Sequence, residues 1–277
     1  MLTSAQNPKI KDLLALQEKS RLRREKGLFV VEGRRELEHC LEAGYQIDTL
    51  FVCPDILDLT DETPLLRSLL DSGSQPATGC HARPDRASDV FEVSPAVYGK
   101  IAYREGTEGI IAEVVTPKLT LAKLNLPENP LVMVLEAVEK PGNLGAVLRS
   151  ADAAKADAVI ICDPLTDLFN PNLIRASIGA VFTVPVVTAT SEEAIKFLKD
   201  RGIRILTAQL QDSVLYYDSD MRHAVALVMG TEATGLSQAW REAADAHIRI
   251  PMLGRLDSLN VSVSAAILLF EAVRQRQ

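Results

Sequence analysis

Three short stretches in the second half of the chain carry residue types that can do chemistry. "EKPGNLGAVLRSAD" holds Asn143, Gly145 and Arg149; "LVMGTEATGLSQAW" holds Gly230, Glu232 and Gly235; "IPMLGRLDSLNVSVSAAILLF" runs from Ile250 to Phe270 through Ser258, Leu259 and Asn260. In the first, Asn143 can cap a helix, and Gly145 lets a backbone or a ligand approach its first turn. Arg149 then sets a guanidinium among apolar Val147 and Leu148 and small Ala151; a solvated arginine is an equally good local reading. In the second, Glu232 follows a very apolar strand. Its carboxylate can accept hydrogen bonds from a ribose or an amine, or stabilise the next helix through its dipole. The third mixes Gly, Ser and Asn with buried-looking leucines, which suits a loop folded inward around something. Its backbone groups can read an adenine edge while Leu and Met side chains cover the ring. Asn260 also suits a plain helix cap.

These residues need a scaffold that brings strand ends together. From Leu131 onward, apolar strand candidates alternate with helical stretches: "LVMVLEAV", "DAVIICD", "VFTVPVV", "IRILTAQ", "AVALVMG" and "AHIRIPM", separated by "NLGAVLRSADAAK" and "TSEEAIKFLKDRG" among others. Near-continuous apolar strands in a strand–helix alternation imply a parallel sheet covered on both faces. Ligands of such sheets bind at the carboxyl ends of the strands, where the three stretches lie. The first third reads as a separate α/β unit. A helix is expected over Asn7–Lys26, a strand at "LFVVEG", a helix at "RRELEHCLEAG", a strand at "IDTLFVC", a helix at "TPLLRSLLDSG" and a closing strand at "GTEGIIAEVV". The Pro- and Asn-rich segment Thr116–Pro130 reads as a linker. The expected domains are therefore residues 1–115 and 131–277, joined by 116–130.

Composition narrows the chemistry. The 277 residues carry a formal net charge of −7 and four scattered cysteines without a CxxC pair, so a zinc site or a disulfide framework is not expected. The N-terminus lacks the apolar core of a signal peptide, and no apolar run has the roughly 20 residues of a membrane span. A reducing cytoplasm is the expected compartment. Between Lys9 and Arg35, however, nine Lys/Arg face four Asp/Glu. Arg21, Arg23, Arg24 and Lys26 form the centre of this basic stretch and are candidate phosphate contacts. A solvated helix face with pairs such as Arg21–Glu25 is the competing reading. A dinucleotide-dependent oxidoreductase is disfavoured, because the first strand–helix unit of the second domain lacks a GxGxxG turn.

Taken in order, the three stretches resemble the motifs of the SpoU/TrmH family of SPOUT-class RNA 2′-O-ribose methyltransferases. Asn143, Gly145 and Arg149 resemble its N-x-G-x-x-x-R motif. Gly230, Glu232, Gly235 and Leu236 resemble its G-x-E-x-x-G-L motif. Ile250 to Ser262 matches its I-P-M…S-L-N-V-S motif almost letter for letter. "LIRASIGAVFTVPVV" is similar to the family's connecting segment, and the first hundred residues are similar to its L30e-like RNA-binding extension. Lys155 stands where members often carry Gly, Ser264 where Ala is usual, and Glu108 where Gln is frequent.

The resemblance implies an α/β fold in two parts, an N-terminal L30e-like α/β domain and a C-terminal SPOUT α/β domain with a parallel sheet and a deep trefoil knot. It implies a homodimer with parts of the active site shared between subunits, S-adenosylmethionine as methyl donor, no metal, and RNA as partner. Gly230, Ile250, Met252 and Leu259 are the implied donor-binding residues. Arg149 is implied in activating the ribose hydroxyl, with Asn143, Glu232, Ser258 and Asn260 in support. Ribosomal RNA of the large subunit is the leading substrate; a tRNA enzyme of the same family and a non-catalytic RNA-binding relative are the alternatives.

Overall fold

The computed structural model describes residues 1–58, 70, 89–103, 108–231, 234–255 and 258–277. These divide into two compact units, Met1–Pro117 with Phe169–Gly179, and Lys118–Leu168 with Ala180–Gln277.

In the first unit, helices α1 (Pro8–Glu18) and α2 (Ser20–Lys26) lead into strand β1 (Leu28–Glu32), helix α3 (Arg34–Glu42) and strand β2 (Ile47–Val52). Strand β3 (Asp89–Glu92), helix α4 (Pro95–Ile101) and strand β4 (Ile110–Val115) follow. The sheet order is β1-β4-β2-β3, with β4 antiparallel to both neighbours and β3 parallel to β2. Ile10, Leu13 and Leu16 recur at helical spacing on α1 and bury against Val30, Phe51, Val97 and Ile111. The single helix expected over Asn7–Lys26 is broken at Lys19, whose backbone is extended at φ −107° and ψ 103°. The break folds α2 back, so that the buried Arg23 guanidinium donates to the carbonyls of Leu16 (2.5 Å) and Gln17 (2.9 Å) at the end of α1. The helix expected at Thr63–Gly73 falls, apart from Leu70, outside the described residues.

The second unit holds, among the described residues, a seven-stranded sheet in the order β7-β6-β5-β10-β8-β11-β9, parallel at every pairing. Its strands are β5 (Leu131–Glu136), β6 (Ala158–Cys162), β7 (Val186–Ala189), β8 (Arg204–Ala208), β9 (Val214–Leu215), β10 (Val225–Met229) and β11 (Ala246–Arg249). The central strands β5, β6 and β10 are buried along their whole length, as continuous apolar runs in a doubly covered sheet require. Helices α8 (Ser191–Asp200) and α9 (Gln238–Ala243) bury Ala194, Phe197, Leu198 and Trp240 against Val132, Val134, Ile160 and Val228. Helices α5 (Pro141–Ala153) and α10 (Val261–Arg276) pack on each other and on β5, β6 and β10.

Two segments depart from the sequence expectation. The strand expected over Val181–Val187 begins as a helical turn, α7 (Ala180–Thr183). Pro185 excludes Val184 from helical geometry and so ends that turn, leaving the strand to start at Val186. Residues 118–130 are not free: Leu121, Leu124 and Leu126 pack on the core of the second unit. Conversely, Phe169–Gly179, with helix α6 (Pro171–Ser177), joins the first unit, where Phe169 stacks on Phe29 at 4.1 Å and 17°.

Candidate active site

At the carboxyl ends of β8, β10 and β11, all within the second unit, lies a cleft of about 390 Å³, in the range of small-molecule sites. Gly230, Ile250, Met252 and Leu259, the donor-binding residues the resemblance implies, all line it, and so does Ser258. Met229, Ile248 and Leu268 supply further apolar wall; Gln209, Thr231 and Arg241 supply polar groups.

The two glycines of the second stretch explain each other. A β-carbon on Gly230 would sit 2.3 Å from the carbonyl carbon and oxygen of Gly235 and 2.6 Å from the nitrogen of Leu236. The backbone therefore crosses itself there with no room for a side chain. Gly235 completes the crossing in the left-handed region, at φ +68°, and its amide donates to the Thr231 carbonyl at 3.0 Å. The crossing brings main-chain groups to the cleft wall, as recognition of a flat polar ligand requires.

The third stretch enters α10 through Asn260, which does both things its sequence allows. Its Oδ1 accepts from the Ser262 amide at 2.9 Å, capping the helix, while its Nδ2 donates to Asn143 Oδ1 at 3.1 Å. Residues 117 positions apart are joined at one point. Asn143 itself is not a cap, because α5 begins at Pro141 behind the N-cap position Lys140; Asn143 lies in the first turn, its side chain turned to the first and third stretches' junction. Arg149 stands six residues further along α5, exposed, and makes no hydrogen bond or ion pair among the described residues. Six residues turn a helix by about 240° beyond one revolution, so Arg149 and Asn143 occupy different faces. Glu232 lies outside the described residues.

Sequence reasoning missed a polar cluster joined to the chain directly after the cleft-lining Leu236. Glu136 ends β5 and is 7% exposed. Its Oε2 accepts from the Ser237 amide at 2.7 Å, and its Oε1 lies 3.0 Å from the Ser191 hydroxyl. Ser191 Oγ also meets Asp163 Oδ2 at 2.6 Å and accepts from Trp240 Nε1 at 3.0 Å. The signal was present: an acidic residue closing an otherwise apolar strand needs buried partners. Burial pushes the thiols of Cys40 and Cys162 up, so neither is a thiolate nucleophile. Among the described residues no group of His, Cys, Asp or Glu side chains is arranged to hold a metal ion.

In the first unit the four basic candidates separate. Arg23 is 4% exposed and spent on the carbonyls closing α1, so it is withdrawn as a phosphate contact. Arg21 pairs with Glu25 at 2.6 Å and Lys26 with Asp12 at 3.1 Å, both at the surface; Arg24 is exposed.

The SpoU rRNA methylase family matches residues 130–270, and the MRM3-like substrate binding domain matches residues 7–112. The chain is 30% identical over 274 residues, 97% of both chains, to the 23S rRNA (guanosine(2553)-2′-O)-methyltransferase RlmP of Bacillus subtilis. It is 39% identical to the 23S rRNA (guanosine-2′-O-)-methyltransferase RlmB of Ralstonia nicotianae over 184 residues, 64% of this chain and 73% of that one. Among solved structures, the AdoMet-bound rRNA methyltransferase from Sinorhizobium meliloti superposes with a TM-score of 0.85 at 31% identity, covering 99% of this chain and 97% of that one. The three sequence stretches, the parallel sheet that gathers the second and third of them with Asn143 of the first, and these likenesses agree: the chain belongs to the SpoU rRNA methylase family.

Proposed function

We propose that this chain transfers the methyl group of S-adenosylmethionine to the ribose 2′-hydroxyl of a guanosine in 23S rRNA. The observation that carries the reading is the cleft in which the Gly230–Gly235 crossing meets Ile250, Met252, Ser258 and Leu259. The match of the first unit to a substrate-binding domain, and a relative named for 23S rRNA that aligns over 97% of both chains, support the RNA target.

The cleft suits the donor: apolar Ile250, Met252 and Leu259 can cover an adenine, while main-chain groups at the glycine crossing meet polar edges. When bound, S-adenosylmethionine supplies a methyl already activated by the adjoining sulfonium. The protein must align the hydroxyl with it and help remove the hydroxyl proton. Asn143 and Asn260, hydrogen-bonded to each other beside the cleft, orient that hydroxyl together with Ser258 and Glu232. Arg149 is a poor base, since a guanidinium stays protonated in proteins. Its exposed position suits a different role, holding the phosphate next to the target ribose, while a solvent water takes the hydroxyl proton and the donor leaves as S-adenosylhomocysteine.

The same reading includes the knotted topology, a cytoplasmic place of work and a homodimer. Val263 and Phe270 of α10, 47% and 48% exposed, form an apolar stripe that supports such an assembly. Among the described residues no helix is long and apolar enough to cross a membrane.

The test is transfer of labelled methyl to unmodified 23S rRNA and, in parallel, to bulk tRNA, with digestion to 2′-O-methyl nucleosides. Label in rRNA as 2′-O-methylguanosine is expected. Label confined to tRNA would overturn the target, and donor binding without transfer to either RNA or to a pre-ribosomal particle would overturn the activity.

A further inference from the structure

The cleft wall to which Gly230, Thr231, Thr234, Gly235 and Leu236 contribute has two fixed ends. One is β10, inside the sheet. The other is the start of α9, and what holds it is Glu136. Ser237 comes directly after the cleft-lining Gly235 and Leu236, and its amide donates to Glu136 Oε2 at 2.7 Å. Three residues on, Trp240 donates through Nε1 to Ser191 Oγ at 3.0 Å. The first turn of α9 is thus tied twice to strand ends, once to the end of β5 and once to the cluster after β6 and β7.

Proton counting shows which contact matters. Ser191 has one hydroxyl proton, and Asp163 Oδ2 at 2.6 Å is closer than Glu136 Oε1 at 3.0 Å. The Ser191 proton goes chiefly to Asp163, and Glu136 serves mainly as the acceptor for the Ser237 amide. We infer that Glu136 is a positioning residue of the donor cleft, acting as a hydrogen-bond acceptor that fixes the backbone directly after the cleft-lining Gly235 and Leu236. The inference rests on the reading of the cleft as the donor site.

An acceptor role, as opposed to a charge role, makes an unusual set of variants informative. In Glu136→Gln the amide oxygen can still accept from Ser237, and its NH2 can donate to Ser191 Oγ, whose own proton goes to Asp163. Glu136→Leu keeps comparable bulk and removes the acceptor. Ser237→Pro removes the same bond from the other side: Ser237 sits at φ −63° and ψ 163°, which a proline ring adopts without strain.

The experiment is titration of the full chain with S-adenosylhomocysteine by calorimetry, which reads dissociation constant and stoichiometry separately. Glu136→Leu and Ser237→Pro should each weaken binding about tenfold, the scale of one buried hydrogen bond lost. The double variant should be no weaker than either single one, and Glu136→Gln should stay within about twofold of wild type. A merely structural role would lower the bound fraction and leave the dissociation constant of the remaining protein unchanged. That result, a full effect in Glu136→Gln, or additive losses in the double variant would each overturn the inference. A wild-type chain that does not bind S-adenosylhomocysteine would overturn the donor-site reading and this inference together.

Discussion

Arg149 and Glu113 show how differently a single charged side chain can be placed. Arg149 is exposed on α5 near the donor cleft's helix and has no described partner, which fits a group kept free to meet a phosphate. A point charge on Lys cannot reproduce the two-pronged geometry of a guanidinium. Arg149→Lys should therefore lose most methyl transfer, on the order of a hundredfold, while its affinity for S-adenosylhomocysteine stays within about twofold. Near-normal turnover would sink the assignment. Glu113 is the opposite case: it lies on the inner strand β4, 5% exposed, with Oε1 lacking a hydrogen-bond partner among the described residues. Burial first, then the nearby Asp48 carboxylate, push it up to about 7, against the smaller pull of Lys9 and Lys26. Its native pKa is thus above its unfolded one, so its contribution favours folding below about pH 4.5 and is lost as pH rises towards about 7. The change is on the order of 3 kcal/mol. Hydrogen exchange of the β1, β2 and β4 amides, corrected for intrinsic rates, should show weaker protection at pH 7.5 than at pH 5.5 in wild type. Glu113→Gln should flatten that difference; an unchanged slope would show that another group titrates. Neither property was legible from the sequence, since an isolated Glu in "IIAEVV" and an isolated Arg in "AVLRSAD" carry no information about their surroundings.

Elements were legible where periodicity was strong and illegible where a single side chain decided the geometry. The strands at "LVMVLE", "AVIIC" and "VALVM" and the helices following them lie close to where apolar runs and helical spacing put them. The break between α1 and α2 was not visible, because it depends on Arg23 turning inward to close α1. That has a consequence for the basic face of α2. Replacing Arg21 and Arg24 with Ala should weaken RNA binding and flatten its salt dependence by roughly one unit of slope per lost phosphate contact. Arg23→Ala should instead destabilise the first unit, leaving the slope alone. A salt slope that changes only in Arg23→Ala would reverse the assignment. The end of α5 offers a cleaner test. Its last turn closes with Lys155 N on Asp152 O at 2.9 Å and Ala156 N on Ala151 O at 2.8 Å, the paired bonds of a Schellman end. Lys155 occupies the left-handed position at φ +51°, with its side chain exposed. This is the position where the resemblance led one to expect Gly. Lys155→Gly should stabilise the second unit by roughly 0.5–1 kcal/mol, the left-handed penalty less the added freedom of the unfolded chain. Urea unfolding followed by Trp240, the sole tryptophan, measures it directly, and a lower midpoint would refute the argument.

At the scale of the molecule, chain order misleads once and an exposed surface points outward once. Phe169–Gly179 lies between β6 and β7 in sequence, yet it belongs to the first unit through the stack of Phe169 on Phe29 and the Tyr103 hydroxyl donating to Asn172 Oδ1 at 3.0 Å. Such contacts join residues far apart in the chain, and no local pattern announces them. The outward surface is α10. Its C-terminal end is firmly held: Arg276 donates to the carbonyls of Met221, Asn129, Pro130 and His223 at 2.6–3.1 Å, and Arg274 makes two bonds to Glu271 at 2.7 and 2.8 Å. On this anchored helix Val263 and Phe270 stand seven residues apart, two turns along one face, with part-buried Ala266 and Ile267 between them. An ordered helix that leaves a phenylalanine 48% exposed is suited to bury it against another surface, and in the proposed homodimer a second copy would offer the same stripe across a two-fold axis. Phe270→Glu would set two carboxylates against each other across that axis. Sedimentation at micromolar concentration should give a dimer for wild type and a monomer for Phe270→Glu, with methyl transfer lost in the monomer if the partner completes the site. A wild-type monomer with full activity would remove the dimer from the mechanism. A monomeric Phe270→Glu that still transfers methyl would instead confine the active site to one chain, with Asn143, Arg149, Ser258 and Asn260 sufficient among themselves.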